Sequence, residues 1–309
     1  MGKFLEEISV KNHSNMVVGK NGSGDFDCIQ DALNYCSKVN SPVTLRILSG
    51  EYKENITLYQ SNIKILGVGT VKIIGNKFAR ELDRNGQEIG TFQTATLFIN
   101  AENVMMENIE IINNAGPGEK VGQAMALYNE GDNITFRNCS FRGFQDTLCL
   151  GPLPPLQKDG TLFSTPKIDK EVARNRTFFE GCYIEGTVDF IFGGGESLFK
   201  HCEVRSLLRQ ENKEGYITAA STSKDKKGFH FSHCYLTAEL GVENVYLGRP
   251  WRPFANVLFT ECRVGAHIVP SRWDDWGKKE NRKTVRYIEE GNIYLTNRQL
   301  ETIDWILFK

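Results

Sequence analysis

Thr177-Phe-Phe-Glu-Gly-Cys182-Tyr-Ile184 is one copy of a short pattern, Phe-x-x-Cys-x-apolar, that recurs along the chain. The other copies have their cysteine position at Cys139, Cys202, Cys234, Cys262 and, with a different residue, Ile109. In an extended strand Phe shares a face with the residue two positions before it, and Cys with the residue two positions after it. The two-residue gap between Phe and Cys interrupts this alternation. Each copy therefore predicts two short strands on either side of a bend.

The spacing of the copies indicates how they pack. From Ile109 onward, successive cysteine positions lie 30, 43, 20, 32 and 28 residues apart. A smallest coil of about 20 residues with insertions of variable length is typical of a parallel β-solenoid. Stacked coils would place each Phe over the next Phe and each Cys over the next Cys, about 4.8 Å apart. The cysteines would then be small buried apolar residues, with no disulfide implied. The alternative is a β-sandwich with six unrelated core strands.

A helical pattern occupies residues 26–36 and precedes the repeats. Asp25 or Asp27 is available as its N-cap. The pattern predicts a short amphipathic helix that covers the open end of the solenoid, where unpaired strand edges would otherwise invite aggregation. Its apolar residues recur at helical spacing: Phe26, Ile29, Ala32, Leu33 and Cys36.

The domain organisation is simple, because no linker divides the 309 residues. We expect one domain, residues 1–309. Within it, segment 151–174 contains four prolines and two glycines, which predicts a long surface loop. Segment 282–309 leaves the repeat pattern and is expected to pack along the outside of the solenoid.

Composition excludes several classes of function. Lys and Arg number 37 and Asp and Glu 38, for a net charge of −1, so neither nucleic acid nor an anionic membrane is bound by bulk charge. No apolar run approaches the ~20 residues of a membrane helix. Eight cysteines are too few for a disulfide scaffold. Residues 1–10 include Glu6 and Glu7 and do not resemble a signal peptide. We therefore expect a cytoplasmic protein if Met1 is the native start, the alternative being a secreted protein whose leader has been removed.

Two aspartates share one position in the repeat. Asp146 lies seven residues after Cys139, and Asp189 lies seven residues after Cys182. If segment 151–174 is looped out, the two coils are adjacent and the carboxylates are about 5 Å apart. Two carboxylates at such a short distance titrate as a unit, and one of them keeps its proton near neutral pH. Such a pair can provide one acid and one nucleophile or base.

The neighbours of the aspartates favour a catalytic pair. Asp189 is embedded in an apolar stretch, and a carboxylate in such a place needs partners. Gln145 precedes Asp146, and its amide could donate to an oxyanion, as could that of Gln123. The alternative is a pair of surface aspartates at turns.

At these residues the chain resembles the pectin methylesterases (pectinesterases), a family of carbohydrate esterases. The resemblance spans roughly residues 17–276 and implies an all-β fold, a single-stranded right-handed parallel β-helix, in agreement with the repeat. Five motifs occur in the order typical of the family: Gly50-Glu-Tyr-Lys-Glu54, Gln123-Ala-Met-Ala-Leu127, Gln145-Asp-Thr-Leu148, Gly186-Thr-Val-Asp-Phe-Ile-Phe-Gly193 and Leu247-Gly-Arg-Pro-Trp251.

The resemblance also implies roles for individual residues. Asp189 would be the nucleophile that attacks the C6 carbonyl of a methylated galacturonate. Asp146 would protonate the departing methanol and then accept a proton from water. Gln123 and Gln145 would stabilise the oxyanion. Arg249 would pair with Asp189 and keep it charged while Asp146 stays protonated.

Substrate and partners follow from the same resemblance. Trp251, with Phe144 and Phe190, would stack on sugar rings of methylesterified homogalacturonan or its oligosaccharides. We expect no metal, no organic cofactor, no nucleic-acid or membrane partner, and a monomer.

Two departures from the family pattern stand out. Phe144 replaces a tyrosine that is frequent in the family, so one hydroxyl contact is absent. The two aspartates are also 43 residues apart rather than about one coil. We hypothesise that the extra segment, 151–174, forms a wall or lid over the cleft and restricts substrate length.

Three other interpretations stay open at this point. A pectate lyase or polygalacturonase would also use a β-helix, although a lyase needs a cluster of acids for Ca²⁺ and an Arg base. A solenoid that only binds polysaccharide would keep the aspartates as structural residues. Trp273 and Trp276 could line a sugar groove or close the core.

Overall fold

The repeat copies stack as the sequence predicts. In the computed structural model, which describes residues 14–39, 42–210 and 213–309, the Phe of each copy lies over the Phe of the next on parallel strands. Neighbouring rings stack with centroids 5.1, 4.6, 4.4 and 4.5 Å apart. The rings in this column are those of Phe136, Phe179, Phe199, Phe231 and Phe259. The five repeat cysteines are buried free thiols. The parallel β-helix is therefore confirmed and the sandwich interpretation is wrong.

Three parallel ladders form the walls of the solenoid, and long strands Val43–Tyr52 and Ile63–Gly75 pass through the bend and contribute to the first two. Ladder A also contains Asn15–Val18, Glu102–Glu107, Asp132–Arg137, Arg176–Glu180, Glu196–Lys200, Phe229–Ser232, Asn256–Thr260, Arg286–Glu290 and Leu307–Phe308. Ladder B continues with Glu110–Asn113, Ser140–Arg142, Tyr183–Gly186, Glu203–Ser206, Tyr235–Ala238, Arg263–Gly265 and Ile293–Leu295. Ladder C consists of Ile56–Leu58, Leu97–Ile99, Leu127–Asn129, Leu148–Leu150, Ile191–Gly193, Gly215–Ala220 and Val245–Pro250.

Helices are short throughout the described ranges. The α-helices are Ile29–Cys36 and Gly118–Val121, and 3₁₀ turns occupy Lys20–Gly22, Thr91–Gln93 and Lys279–Lys283. None of the described helices is long and apolar enough to cross a membrane. Residues 1–10, to which the prediction about a leader refers, lie outside the described residues.

The bend between ladders A and B has one backbone conformation in coil after coil. The residue immediately before the cysteine position is left-handed, with φ between 48° and 61°. Glycine and asparagine adopt this conformation readily, whereas histidine and glutamate do so at some cost in free energy. Stacking of the coils therefore imposes the bend even where the local residue does not favour it. The residues at this position are Asn108, Asn138, Gly181, His201, His233, Glu261 and Gly291.

The first helix, Ile29–Cys36, packs its apolar face into the N-terminal end of the core, but its cap differs from the prediction. Cys28 is the N-cap residue and makes no side-chain capping hydrogen bond. Asp25 instead accepts the N–H of Val17 in strand Asn15–Val18, and Asp27 accepts that of Gly22 in the preceding 3₁₀ turn. The Glu54 carboxylate accepts the first two helical N–H groups at 3.0 and 2.9 Å. The predicted cap was wrong because a distant acidic side chain satisfies these donors.

The C-terminal segment also differs from the prediction. Strands Arg286–Glu290 and Ile293–Leu295 pair in parallel with the preceding coil, so they add one more coil rather than packing along the outside. Glu289 takes the register position of the repeat Phe. Asn292 takes the cysteine position, where its amide bonds the backbone of Phe259 and Cys262. The sequence pattern missed this coil because polar residues replace both marker residues.

Segment 151–174 has no helix or strand, as predicted, and it is anchored to earlier coils. The Asn100 side chain accepts the N–H groups of Asp169 and Lys170 at 2.8 Å each and donates to the carbonyl of Lys170. The Tyr59 hydroxyl donates to the carbonyl of Lys167 at 2.9 Å. The segment therefore runs from the end of strand Leu148–Leu150 back over the outside of ladder C.

Candidate active site

The outer face of ladder C carries a row of side chains in one register. Each member pairs with the next on the neighbouring coil. Because strand residues alternate between faces, this row points away from the solenoid core. All of its members except Arg249 pack with Phe92 in a separate apolar cluster. Its members are Phe98, Tyr128, Cys149, Phe192, Ala219 and Arg249.

The two aspartates lie side by side at the start of this ladder. Leu148 pairs with Ile191, so counting two residues back places Asp146 and Asp189 in equal register on adjacent coils. The N–H of Asp146 donates to the carbonyl of Val188 at 3.1 Å. Both aspartates are left-handed, with φ of 64° and 49°, and they are 9% and 8% exposed. The predicted pairing of the carboxylates, with segment 151–174 looped out, is thus present in the structure.

Arg249 holds Asp189 through two hydrogen bonds. Its Nε donates to Oδ1 at 2.8 Å and its Nη2 to Oδ2 at 2.7 Å. The guanidinium lies between two aromatic rings, those of Tyr216 and Trp276, with its Cζ 3.8 Å from each ring centroid. Bidentate bonding and stacking together fix the arginine in one orientation.

The electrostatics separate the two carboxyl groups. Burial, and then the negative charge of Asp189, raise the pKa of the Asp146 carboxyl well above its ordinary value. Burial also raises the pKa of Asp189, but the hydrogen bonds and positive charge of Arg249 oppose that rise. Arg249 therefore favours the ionised form of Asp189, whereas burial and the charge of Asp189 favour the protonated form of Asp146.

Gln123 and Gln145 line the same cleft as the aspartates. Neither side-chain amide is hydrogen bonded to another described residue, so both can donate to a ligand. Gly118 lies directly against Gln145: a Cβ at Gly118 would come within 2.5 Å of the Gln145 Oε1 and 2.7 Å of its Cβ. The glycine therefore leaves the space that the glutamine side chain occupies.

A cleft of about 490 Å³ surrounds these groups. Trp251 lines it, and its predicted contact with a sugar ring stays a prediction. Phe190 does not, because it is fully buried in the solenoid core, and that prediction was wrong. Phe192, two residues later, faces the cleft instead. Phe144 is partly exposed but is not a lining residue, so its sugar contact stays a prediction.

The two tryptophans that could each line the groove or close the core have different positions. Trp273 closes the core and stacks on Tyr287 with centroids 4.1 Å apart. Trp276 lines the cleft over Arg249. Tyr216 is a site residue that the sequence did not predict. It lies one coil beyond Asp189 in the same register, a position that counting along the repeat could have identified.

Segment 151–174 contributes to the cleft. Gln157, Lys158, Asp159 and Phe163 are lining residues. The Phe163 ring packs edge-on against Phe92 at 5.1 Å and against Trp251 at 6.1 Å. Among the residues that the structure describes, no group of three His, Cys, Asp or Glu side chains could hold a metal ion.

Comparison with known proteins identifies similar sequences. A family model described as Pectinesterase matches residues 15–151 and 171–309 and leaves residues 152–170 unmatched. Putative pectinesterase 14 of Arabidopsis thaliana is 33% identical over 88% of this chain and 75% of its own length. Probable pectinesterase/pectinesterase inhibitor 6 of the same plant is 30% identical over 94% of this chain, which spans only 48% of that relative.

Solved structures give the same result for the fold. A pectin methylesterase from carrot superposes with a TM-score of 0.79 and 25% identity, covering 97% of this chain and 89% of its own. A pectin methylesterase in complex with hexasaccharide VII superposes with a TM-score of 0.76 and 26% identity, covering 93% of this chain and 92% of its own.

Proposed function

This chain belongs to the pectinesterase family, and we propose that it hydrolyses the C6 methyl esters of galacturonate in pectin or methylated oligogalacturonides. The observation that carries the proposal is Asp189, held through both carboxylate oxygens by Arg249, beside the buried Asp146, whose pKa is raised by burial and by the charge of Asp189. An ester hydrolase needs this combination of nucleophile and acid. A relative solved in complex with a hexasaccharide supports an oligosaccharide as the ligand.

In the first half of the reaction Asp189 attacks the ester carbonyl carbon. The carbonyl oxygen becomes an oxyanion, which accepts hydrogen bonds from the amides of Gln123 and Gln145. Each such donor contributes about 3–4 kcal/mol to transition-state stabilisation in comparable sites. The C–O bond to methanol then breaks, Asp146 gives its proton to the leaving oxygen, and an acyl-enzyme anhydride remains on Asp189.

In the second half water enters where methanol left. Asp146, now a carboxylate, removes a proton from the water, and the resulting hydroxide attacks the acyl carbon. The Asp189 carboxylate departs and is again held by Arg249. The product leaves as the C6 carboxylic acid, which loses its proton to solvent, and Asp146 is once more protonated. No step requires a metal or an organic cofactor.

Segment 151–174 is proposed to form one wall of the cleft and to restrict substrate length. Phe163 packs on Phe92 and Trp251, and Arg252 donates to the carbonyl of Leu156 at 3.1 Å. Together with the Asn100 contacts, these hold the segment along ladder C, from the end of strand Val245–Pro250 to the end of strand Leu97–Ile99. A polysaccharide chain could not continue along that face without displacing it.

Further proposals concern the protein as a whole. We expect one domain over residues 1–309 acting as a monomer, which light scattering would test. The cytoplasmic location and its alternative, secretion, are distinguished by fractionating cells and detecting the protein with an antibody. Protein in the medium would exclude the cytoplasmic version.

The proposed activity is tested on highly methylated pectin and on short methylated oligogalacturonides. Methanol release and absorbance of unsaturated uronate are followed together, with Asp189→Ala as the control. We expect methanol without unsaturated product, and no methanol from the variant. Unsaturated product without methanol would indicate a lyase, and neither signal on either substrate would favour a solenoid that only binds polysaccharide.

A further inference from the structure

The connections between ladders B and C are short in two adjacent coils and longer in the coils on either side of them. The short ones are residues 143–147 and 187–190, and the longer ones are residues 114–126 before them and 207–214 after them. The short connections carry Gln145 and both aspartates of the pair. The groups proposed to carry out the reaction therefore lie between two longer segments of chain.

An ion pair joins the two longer connections. The Nε of Arg209 donates to the Oε1 of Glu119 at 2.8 Å, and the two side chains are only 18% and 19% exposed. The Arg209 guanidinium also donates to the carbonyl of Glu214, directly before strand Gly215–Ala220. Three coil steps of about 4.8 Å separate the two connections, so the ion pair spans both short ones. We call Glu119 and Arg209 the bridging pair.

Glu119 belongs to the short helix Gly118–Val121, which packs against Gln145. A Cβ at Gly118 would come within 2.5 Å of the Gln145 Oε1, so the backbone of the helix lies directly against the amide. A helix of one turn is unstable in isolation, and tertiary contacts must hold it in place. Arg80 reaches two carbonyls of the helix at 3.5 Å each, the outer limit of a hydrogen bond. The bridging pair is shorter and charged, and is therefore the stronger contact.

Gln123 follows the same helix but has anchors of its own. Its carbonyl accepts the N–H of Ala79 at 2.8 Å. The N–H of the next residue, Ala124, donates to the carbonyl of Gln145 at 3.2 Å. These backbone bonds fix Gln123 from both sides. A shift of the helix would therefore displace the amide of Gln145 more than that of Gln123.

The charge of Arg209 also acts on Asp189. Burial raises the pKa of Asp189, the hydrogen bonds and charge of Arg249 oppose this rise most strongly, and Lys278 and Arg209 oppose it further. Although burial raises the pKa of Glu119, the hydrogen bond and charge of Arg209 bring it below its ordinary value, so Glu119 is ionised at neutral pH. A variant that tests the position of the helix must therefore change Glu119 and keep Arg209.

We propose that the bridging pair positions the amide of Gln145 for the oxyanion by holding helix Gly118–Val121 in place. This rests on the proposed function, in which that amide acts on the oxyanion of the ester. Neither member of the pair lines the cleft, so both are positioning residues. Donors that are fixed before the reaction need no reorganisation when the charge develops. Breaking the pair should therefore lower kcat and leave KM nearly unchanged.

The test measures methanol release from short methylated oligogalacturonides by Glu119→Ala, which keeps the charge of Arg209. We expect kcat to fall about tenfold, with KM within about twofold of the wild type. Glu119→Gln keeps the size of the side chain but not its charge, and should lower kcat about threefold. Glu180→Ala is the matched control, because it breaks the 3.1 Å ion pair with Arg137 on ladder A and should keep the wild-type kcat.

Two double-mutant cycles distinguish positioning from a merely structural role. In the Gln145→Ala background, Glu119→Ala should lower kcat by less than about twofold, because the amide that the bridging pair positions is gone. In the Gln123→Ala background the same change should still lower kcat about tenfold. Equal losses in both backgrounds would overturn the proposal, because a general loss of structure lowers kcat in every background.

The wild type separates this proposal from the proposed function. An unchanged kcat in Glu119→Ala would overturn the positioning role, while methanol release by the wild type upheld the esterase. Absence of methanol from the wild type would instead overturn the proposed function. If Glu119→Ala fails to fold by circular dichroism, the same two cycles with Glu119→Gln decide between these outcomes.

Discussion

The guanidinium of Arg249 spans both carboxylate oxygens of Asp189 at 2.8 and 2.7 Å, although 60 residues separate them in the chain. Arg249 comes from the strand Val245–Pro250, two coils beyond Asp189. Tyr216, on the coil between them, stacks on the guanidinium from one side and Trp276 from the other. Strand Val245–Pro250, Tyr216 and Trp276 thus keep the Arg249 guanidinium in place, and the guanidinium orients the Asp189 carboxylate.

Arg249→Lys should lower kcat roughly 100-fold, because lysine is a point charge that cannot bond both oxygens in a fixed geometry. Losing the two bonds should also raise the pKa of Asp189, so the acid limb of the kcat–pH profile should move to higher pH. Arg263→Lys, at an exposed site of ladder B, is the matched control. An unshifted acid limb would show that Arg249 does not set the charge state of Asp189.

Asp146→Asn should abolish proton transfer and reduce kcat about 10³-fold. It should also stabilise the fold above neutral pH. The folded pKa of Asp146 is raised by burial and by Asp189, so its stabilising contribution is complete below the unfolded pKa and is lost as pH rises through the folded pKa. Asparagine stays neutral and avoids that loss.

The pH dependence of Asp146→Asn is checked by thermal unfolding at pH 5 and pH 8. The variant's gain in free energy of unfolding over the wild type should be larger at the higher pH than at the lower. Asp225→Asn, on an exposed loop, should show no such trend. A gain that is larger at pH 5 would contradict the raised pKa.

Gly118→Ala should reduce kcat about tenfold with little change in stability. The added Cβ would collide with the side chain of Gln145 and displace its amide from the oxyanion. At Gly50 the nearest atom to an added Cβ is 3.5 Å away, so Gly50→Ala is the control. If Gly118→Ala and Gly50→Ala have the same kcat, the position of the Gln145 side chain does not affect catalysis.

Replacing residues 155–168 by a short Gly-Ser linker should raise the rate on polymeric pectin several-fold relative to the rate on short oligogalacturonides. Phe163→Ala should give part of this effect, because Phe163 contacts Phe92 and Trp251. Leu162→Ala is its control, since Leu162 is 76% exposed. If the ratio of the rate on polymeric pectin to the rate on short oligogalacturonides is unchanged, the segment does not act as a wall.

Because the linker variant also lacks Lys158, the full-length Lys158→Gln variant must be measured beside it. A shift in the ratio seen in the linker variant and absent from Lys158→Gln would belong to the wall and not to the charge.

Glu289→Ala should lower the free energy of unfolding by about 3–5 kcal/mol, the range for breaking a buried ion pair. The Glu289 carboxylate accepts hydrogen bonds from Arg272 at 3.1 Å and from the Trp273 indole at 2.9 Å, and both charged partners are 4% exposed. Glu290→Ala, at the exposed neighbouring residue, should change stability little. Urea unfolding of the two variants checks this, and similar midpoints would contradict a stabilising role for the pair.

The sequence by itself determined the solenoid and the position of its acids. Strand side chains alternate with period two, and stacked coils repeat one register, so Cys139 and Cys182 fixed where Asp146 and Asp189 lie relative to one another. The same counting located the bend and the inserted segment 151–174. These features depend on spacing along the chain, and the spacing is written in the sequence.

Only the tertiary structure decided which side chains complete the site and the ends of the solenoid. Glu54 caps the first helix. Glu289 and Asn292 replace the Phe and Cys of the repeat in the last coil, so the sequence pattern does not reveal that coil. Phe192 rather than Phe190 faces the cleft. Such contacts depend on the path of loops in three dimensions, which hydrophobic periodicity does not encode, because the pattern marks only the residues that face the core.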